Sequence, residues 1–153
     1  MKILLLLILL LGSLFSSEIK LIDQNATDPV YILPLKKYPK FLCEAELKNG
    51  KKVQFVSVKA MMQVYQHQDY FKRHKLLEDD IKSIYVQDYL SGKRIPAQKA
   101  VYVFGSRLTG PHGDDLIPLE NEEKAKIFML RYGGTKILPF EKLSKGLIRY
   151  LDM

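Results

Sequence analysis

One cysteine, Cys43, and three histidines, His67, His74 and His112, are the side chains of this 153-residue chain best suited to hold a soft metal ion or to act as nucleophile and base. A Cys/His/Asp set can be drawn from Cys43, His112 and Asp88, but no segment places the three together. The chain has no Gly-rich phosphate loop, no G-x-S-x-G, no H-E-x-x-H and no C-x-x-C. These absences point away from an enzyme. A single cysteine also leaves no internal disulfide, so the thiol must be buried, bound to metal or paired with another molecule.

The surroundings of each candidate narrow its use. Cys43 alternates in step with Phe41, Ala45 and Leu47, which puts its thiol on an apolar strand face, where cysteine behaves as a small hydrophobe. Metal ligation is its other possible role. His67 falls opposite Val58 and Met62 on a helical face, and His74 lies in a charged stretch, so both are expected in solvent. Met61 and Met62 occupy core-facing positions, where packing outweighs ligation. His112 stands in Gly110-Pro111-His112-Gly113, a rigid loop between strands where packing gives no reason for an imidazole. Binding residues concentrate on such loops, and neutral imidazole is a competent ligand, although a solvated histidine is the simpler alternative. Asp23-Gln24-Asn25-Ala26-Thr27 holds Asn-x-Thr with an acidic residue two places before the asparagine. It resembles the extended acceptor of some bacterial N-glycosylation systems, and Asn25 is expected to carry glycan in a host with that pathway.

The elements that position these residues begin after a leader. Lys2, the apolar run Leu4 to Leu11 and the small residues Gly12, Ser13, Ser16 and Ser17 have the order of a secretory signal peptide, expected to be cleaved at about residue 17. A retained anchor is the other reading, but Gly12-Ser13 interrupts a stretch already shorter than the ~20 residues of a spanning helix. No later segment could span a bilayer. Residues 18–40, with Pro29, Pro34 and Pro39, are expected to form an extended arm. Alternation over residues 41–47 and 51–56 about Asn49-Gly50 predicts a β-hairpin. Ser57 caps a helix carrying Val58, Met61, Met62 and Tyr65 on one face, and residues 81–86 return as a strand. Residues 91–153 repeat the order: strand 100–104, strand 116–119, a helix capped by Asn121 bearing Ala125, Phe128, Met129 and Tyr132, a stop at Gly133-Gly134, strand 135–138, and a terminal helix over 139–150. The fold class is α+β: two tandem small ββαβ units, residues 41–90 and 91–153, the second followed by a C-terminal helix. Phe55, Met62, Tyr65, Ile84, Val103, Phe128 and Met129 are the expected core.

Lysine and arginine total 24 against 17 acidic residues, a formal net charge of +7. The basic residues are scattered, as in Lys36-Lys37, Lys51-Lys52 and Lys93-Arg94, without the aromatic interleaving of a nucleic-acid groove. Solvated faces, with at most a weak preference for acidic partners or anionic lipid, are the expectation.

Several segments in order resemble one family. Tyr38-Pro39-Lys40-Phe41, Asn49-Gly50, Phe55 and Lys59-Ala60-Met61 are followed by Ile84-Tyr85-Val86-Gln87-Asp88-Tyr89, Ala100 to Ser106, Gly110-Pro111-His112-Gly113, Leu116-Ile117-Pro118 and Glu123-x-Ala125. Over residues 28 to 141 the chain is similar to the NosL proteins, copper-delivery accessory factors of periplasmic nitrous oxide reductase. The resemblance implies a fold of two small ββαβ units, a periplasmic location and copper as cargo. It also marks a departure. The family's C-x-x-C-G-M is matched by Asp28-Pro29-Val30-Tyr31-Ile32-Leu33, and the methionine of its G-P-M-G loop by His112. Soft thiolate and thioether donors are thereby lost. Copper binding is expected to be weak or completed by a partner, drawing on His112, Cys43 or a terminal methionine. The implied partner is a periplasmic metalloenzyme or its assembly factors. The alternative is a metal-free structural or interaction module that keeps the fold.

Overall fold

The computed structural model describes residues 18–153, so the expected leader over residues 1–17 lies outside the described residues. Strands β1 (Cys43–Leu47) and β2 (Lys52–Phe55) pair antiparallel, with Cys43 opposite Phe55 and Glu46 opposite Lys52. Gly50 makes the connection with φ at 85°, which side chains rarely tolerate. Helix α1 (Val58–Gln66) starts at Ser57, whose Oγ accepts the Ala60 N–H at 3.2 Å. A second helix, α2 (Gln68–Arg73), follows at once, then β3 (Ile81–Gln87) and β4 (Arg94–Pro96). These strands form one antiparallel sheet in the order β2-β1-β3-β4.

The second sheet has β5 (Val101–Phe104) at its centre, between β6 (Ile117–Leu119) and β7 (Lys136–Pro139). Helix α3 (Glu122–Tyr132) begins where the Asn121 side chain accepts the Lys124 N–H at 2.9 Å, and ends at Gly133 with φ 70°. A single 3-10 turn, Phe140–Lys142, precedes α4 (Lys145–Leu151), so the terminal helix starts later than the expected residue 139. Two strands, a helix and a strand in each half reproduce the expected tandem α+β arrangement, with α2 and β4 as additions.

The halves are not independent in their packing. Strand β4 pairs with β3 of the first sheet although it lies beyond residue 90, and α4 packs on α1. One buried cluster runs from Leu42, Phe55 and Met62 through Ala97, Tyr102 and Leu116 to Ile148 and Leu151. A smaller one, Val103, Ile117, Leu119, Ala125 and Phe128, lies between α3 and the second sheet. Phe55, Met62, Ile84, Val103 and Phe128 are buried as expected. Tyr65 and Met129 are only half-buried. Tyr65 sits in the last turn of α1 with its ring edge-on to Phe140, and Met129 lies at the margin of a narrow sheet, over Gly134.

The arm is a strap laid on the first sheet. Side-chain amides hold its start: Gln87 Oε1 accepts the Ile19 N–H at 3.2 Å, Gln54 Oε1 accepts that of Ile22 at 3.1 Å, and Gln54 Nε2 donates to the Lys20 carbonyl at 2.6 Å. Beyond Ile22 it turns back on itself through a Thr27–Pro34 bridge and 3-10 turns at Leu35–Lys37 and Pro39–Phe41. No described helix is long and apolar enough to cross a membrane.

Candidate functional site

The reversal in the arm is built around Asp28, which is fully buried. Its Oδ2 accepts the backbone N–H of Val30 at 2.9 Å and of Tyr31 at 2.7 Å, and its Oδ1 accepts that of Val56 at 3.1 Å. Burial pushes the Asp28 carboxyl above the usual carboxylate range, while these three bonds pull the other way. The loop closes through Asp28 N–H to the Leu33 carbonyl at 2.8 Å and Ile32 N–H to the Asp28 carbonyl at 3.0 Å. That closure forces Ile32 to φ 57°, a left-handed conformation costly for a β-branched residue.

The turn presents Tyr31 to the loop of residues 110–113. The Tyr31 and His112 rings stack with centroids 3.9 Å apart and planes 11° from parallel. The Tyr31 hydroxyl donates to Asp152 Oδ1 at 2.6 Å and accepts from Gln63 Nε2 at 2.7 Å. Burial first, and then the bond to Asp152, keep this phenol protonated well above its usual range. The His112 side chain remains 51% exposed, and its Nδ1 stands 3.9 Å from Asp152 Oδ1, beyond hydrogen-bond reach.

Below the stack lies a buried cation. The Lys59 side chain, from the first turn of α1, is 1% exposed. Its Nζ donates to the His112 carbonyl at 2.6 Å and the Leu151 carbonyl at 3.0 Å. It also stands 3.8 Å from Asp152 Oδ1 and 5.5 Å from the centroid of the Tyr31 ring. The Lys59 backbone N–H donates to Asp115 Oδ1 at 2.9 Å, and that oxygen takes the Leu116 N–H as well. Asp115 Oδ2 is buried without a well-formed hydrogen bond, though the Ser57 hydroxyl lies near enough to favour its charge. Burial pushes this carboxyl up to about 6 against the pull of Ser57, the two N–H groups and the Lys59 charge. One ammonium thus ties α1, the Gly110–Gly113 turn and the end of α4 together.

The other candidates lie apart from this junction. Cys43 is fully buried and its Sγ donates to the Phe41 carbonyl at 3.6 Å. Burial, with Asp115 and Asp28 adding to it, drives the thiol well above its normal range, which disfavours the thiolate that metals bind. Asp88 is committed to a turn, accepting the N–H groups of Leu90, Ser91 and Glu120, so the Cys43/His112/Asp88 set is not assembled. His67 is exposed beside Gln63, and His74 packs on Tyr70. Among the described residues no three His, Cys, Asp or Glu side chains come close enough together to hold a metal ion. Asn25 is exposed on the arm, in a turn where Asp23 Oδ1 accepts its N–H at 2.8 Å.

A profile of the NosL proteins matches residues 20–148, nearly all of the described chain. The chain belongs to the NosL family. Its fold is similar to that of the crystal structure of the copper chaperone NosL from Shewanella denitrificans, with a TM-score of 0.68 at 22% identity, covering 84% of this chain and 97% of that one. The solution structure of apo-NosL from Achromobacter cycloclastes matches more loosely, with a TM-score of 0.42 at 21% identity over 69% of this chain and 87% of that one. No curated protein matches the chain. Within the NosL fold, the meeting of arm and Gly-Pro-x-Gly loop was foreseeable from the residues that carry the resemblance. Lys59 and Asp115 were not, because nothing local in Ser57-Val58-Lys59 or Gly113-Asp114-Asp115 announces that their charges are buried.

Proposed function

We propose that the protein is an exported, periplasmic accessory factor that handles copper through the Tyr31–His112 junction and passes it to, or receives it from, a metalloenzyme or its assembly factors. Family membership and the copper-chaperone function named for the Shewanella protein support the cargo. The observation that carries the site is the stack of the arm on His112, which fixes an imidazole at the surface and leaves half of it in solvent. One imidazole is a competent donor, but Cu(I) takes at least two, and the arm offers the oxygens of Asp28 and Tyr31 rather than thiolates. Binding by the isolated chain is therefore weak and centred on His112, and a partner's donor completes the shell. The role is delivery or docking rather than catalysis.

Anaerobic competition titration with a Cu(I) chelator tests this reading. Wild type and Cys43→Ser should bind alike, and His112→Ala should lose the site. Tight one-to-one binding that survives His112→Ala would overturn the assignment. The alternative, a metal-free interaction module, draws on the internal satisfaction of Asp28 and on Lys59, whose ammonium already sits among the carbonyls and carboxylate of the junction. Lack of copper binding in every variant, with or without partner extract, would favour it.

A further inference from the structure

We propose that the groove between α4 and the corner of α1 and α2 docks an acidic segment of the partner protein, with one apolar side chain of that segment seated in its floor. The proposal rests on the partner in the reading above, not on its copper, and supplies the chemistry by which that partner is recognised.

The groove consists of two adjoining hollows, of about 620 and 360 Å³, that share His67, Tyr70 and Lys145. The smaller has an apolar floor. Phe71 and Ile148 line it at 8% and 2% exposure, and Tyr70, 51% exposed, stands with them. A protruding leucine or phenylalanine reaches such a recess, whereas the flat surface of a bilayer does not.

The charge around the recess is unbalanced. The carboxylates of the groove already have cations: Asp80 pairs with Lys48 at 3.2 Å and with Lys72, and Asp69 pairs with Lys72 at 3.4 Å. Asp152 Oδ1 stands 3.8 Å from Lys59 Nζ and accepts the Tyr31 hydroxyl. Arg73, Lys145 and Arg149 have no carboxylate partner among the described residues, and all three are exposed. Lys145 and Arg149 lie four residues apart on α4, so their charges share one face. Three unpaired cations around an apolar recess complement an acidic segment that carries an apolar residue. A second copy of this chain, itself at a formal net charge of +7, is repelled.

The groove also has a direction. Gln63 and Asp152 line the smaller hollow and hold the Tyr31 hydroxyl, and Asp152 lines the pocket beside His112 as well. The Asp152 carboxylate at this end repels another carboxylate and favours a donor group. The acidic residues of the bound segment therefore lie over Arg73, Lys145 and Arg149, and its uncharged end approaches His112.

The probe is the capped peptide Asp-Glu-Phe-Glu-Asp, titrated without metal into isotope-labelled protein and followed by amide NMR shifts. The shifts should centre on Gln63, His67, Tyr70, Lys145 and Arg149. Replacing the peptide's Phe by Gly, or its acids by their amides, should each weaken binding by about fivefold or more. Lys145→Glu with Arg149→Glu should weaken it by about tenfold or more. Lys36→Glu with Lys37→Glu makes the same change of net charge on the arm, outside both hollows, and should leave affinity within about twofold. Shifts centred elsewhere, or equal losses in the two double variants, would overturn the proposal, because the peptide would then report net charge alone. So would absence of peptide binding, and so would phosphatidylglycerol vesicles binding where the peptide does not. A wild-type dimer in sedimentation that Lys145→Glu with Arg149→Glu dissolves would overturn it in favour of a second copy. Failure of the Cu(I) titration at His112 would remove the copper reading and leave this result standing, since no metal enters the peptide experiment.

Discussion

The imidazole of His112 lies flat on the ring of Tyr31, 3.9 Å between centroids, although the two stand far apart in the chain. The stack is the seam between the arm and the loop, and the Tyr31 hydroxyl extends it to Gln63 and Asp152. Tyr31→Phe keeps the stack and loses two hydrogen bonds, one charge-assisted, so it should cost about 1–2 kcal/mol. Tyr31→Ala loses the ring as well and should cost ~3–5 kcal/mol, with the His112 ring resonances shifting toward those of a solvated histidine. Urea denaturation with NMR of the histidine side chains checks both. Equal losses for Phe and Ala would mean the stack contributes nothing.

Ile32 is a second consequence of the same turn. Its φ of 57° strains a β-branched residue, and its side chain is 66% exposed, so the conformation is not compensated by burial. A left-handed residue costs about 1–2 kcal/mol relative to glycine, partly offset by the greater freedom of glycine in the unfolded chain. Ile32→Gly should therefore stabilise the protein by about 0.5–1 kcal/mol in equilibrium unfolding. Destabilisation would mean that Ile32 makes a contact worth more than its strain.

Much of the framework was legible because it is local chemistry. Asn49-Gly50 makes the tight turn of the first hairpin, and Ser57 and Asn121 accept the N–H groups their types predict. Helix α2 was hidden because Gln68-Asp69-Tyr70-Phe71-Lys72-Arg73 has only Phe71 to bury, too little for a periodic signal. Strand β4 was hidden by its three-residue length and by Pro96, which suits only an edge. The junction was legible in part: the resemblance places Tyr31 and His112 where they would meet, whereas the burial of Lys59, Asp28 and Asp115 depends on partners far along the chain, such as Leu151 for Lys59 and Val56 for Asp28.

Cys43 separates packing from chemistry. A fully buried thiol whose ionisation is suppressed should resist alkylation in the folded protein and react only through unfolding. Iodoacetamide labelling followed by mass spectrometry should be slow in buffer and complete in denaturant, and Cys43→Ala should cost about 1–2 kcal/mol from the vacated core volume. Rapid labelling of the native protein would restore Cys43 as an accessible ligand.

Asn25 presents its acceptor motif on an exposed turn near the start of the described chain, with Asp23 two residues before it and Thr27 two after. In a host that exports the protein and transfers glycan from a lipid-pyrophosphate-linked oligosaccharide, the peptide containing Asn25 should carry the added mass, and Asn25→Gln should abolish it. An unmodified peptide from a host with a proven pathway would end the prediction.

Asp115 sets the sign of a pH dependence. Its carboxyl has an ordinary value of 3.8 and is raised to about 6 in the fold by burial. Below pH ~4 both folded and unfolded chains hold this proton; between pH ~4 and ~6 the folded chain holds it and the unfolded chain has released it. Stability from this group is therefore present at low pH and is lost as pH rises through that window, by up to about 3 kcal/mol. Asp28, also raised by burial, acts in the same direction. Glu120 acts oppositely and lower: Lys124 and Lys93 hold it down to about 2, so its contribution is present above 4.5 and fades as pH falls, and at the surface it is well screened. Between pH 4 and 6, then, the buried carboxyls dominate. Unfolding free energy measured across that range should fall with rising pH in wild type and fall much less in Asp115→Asn, whose amide does not titrate. A wild-type curve that rises with pH through the same interval would mean that Asp115 is held as a carboxylate, with its Oδ2 paired after all.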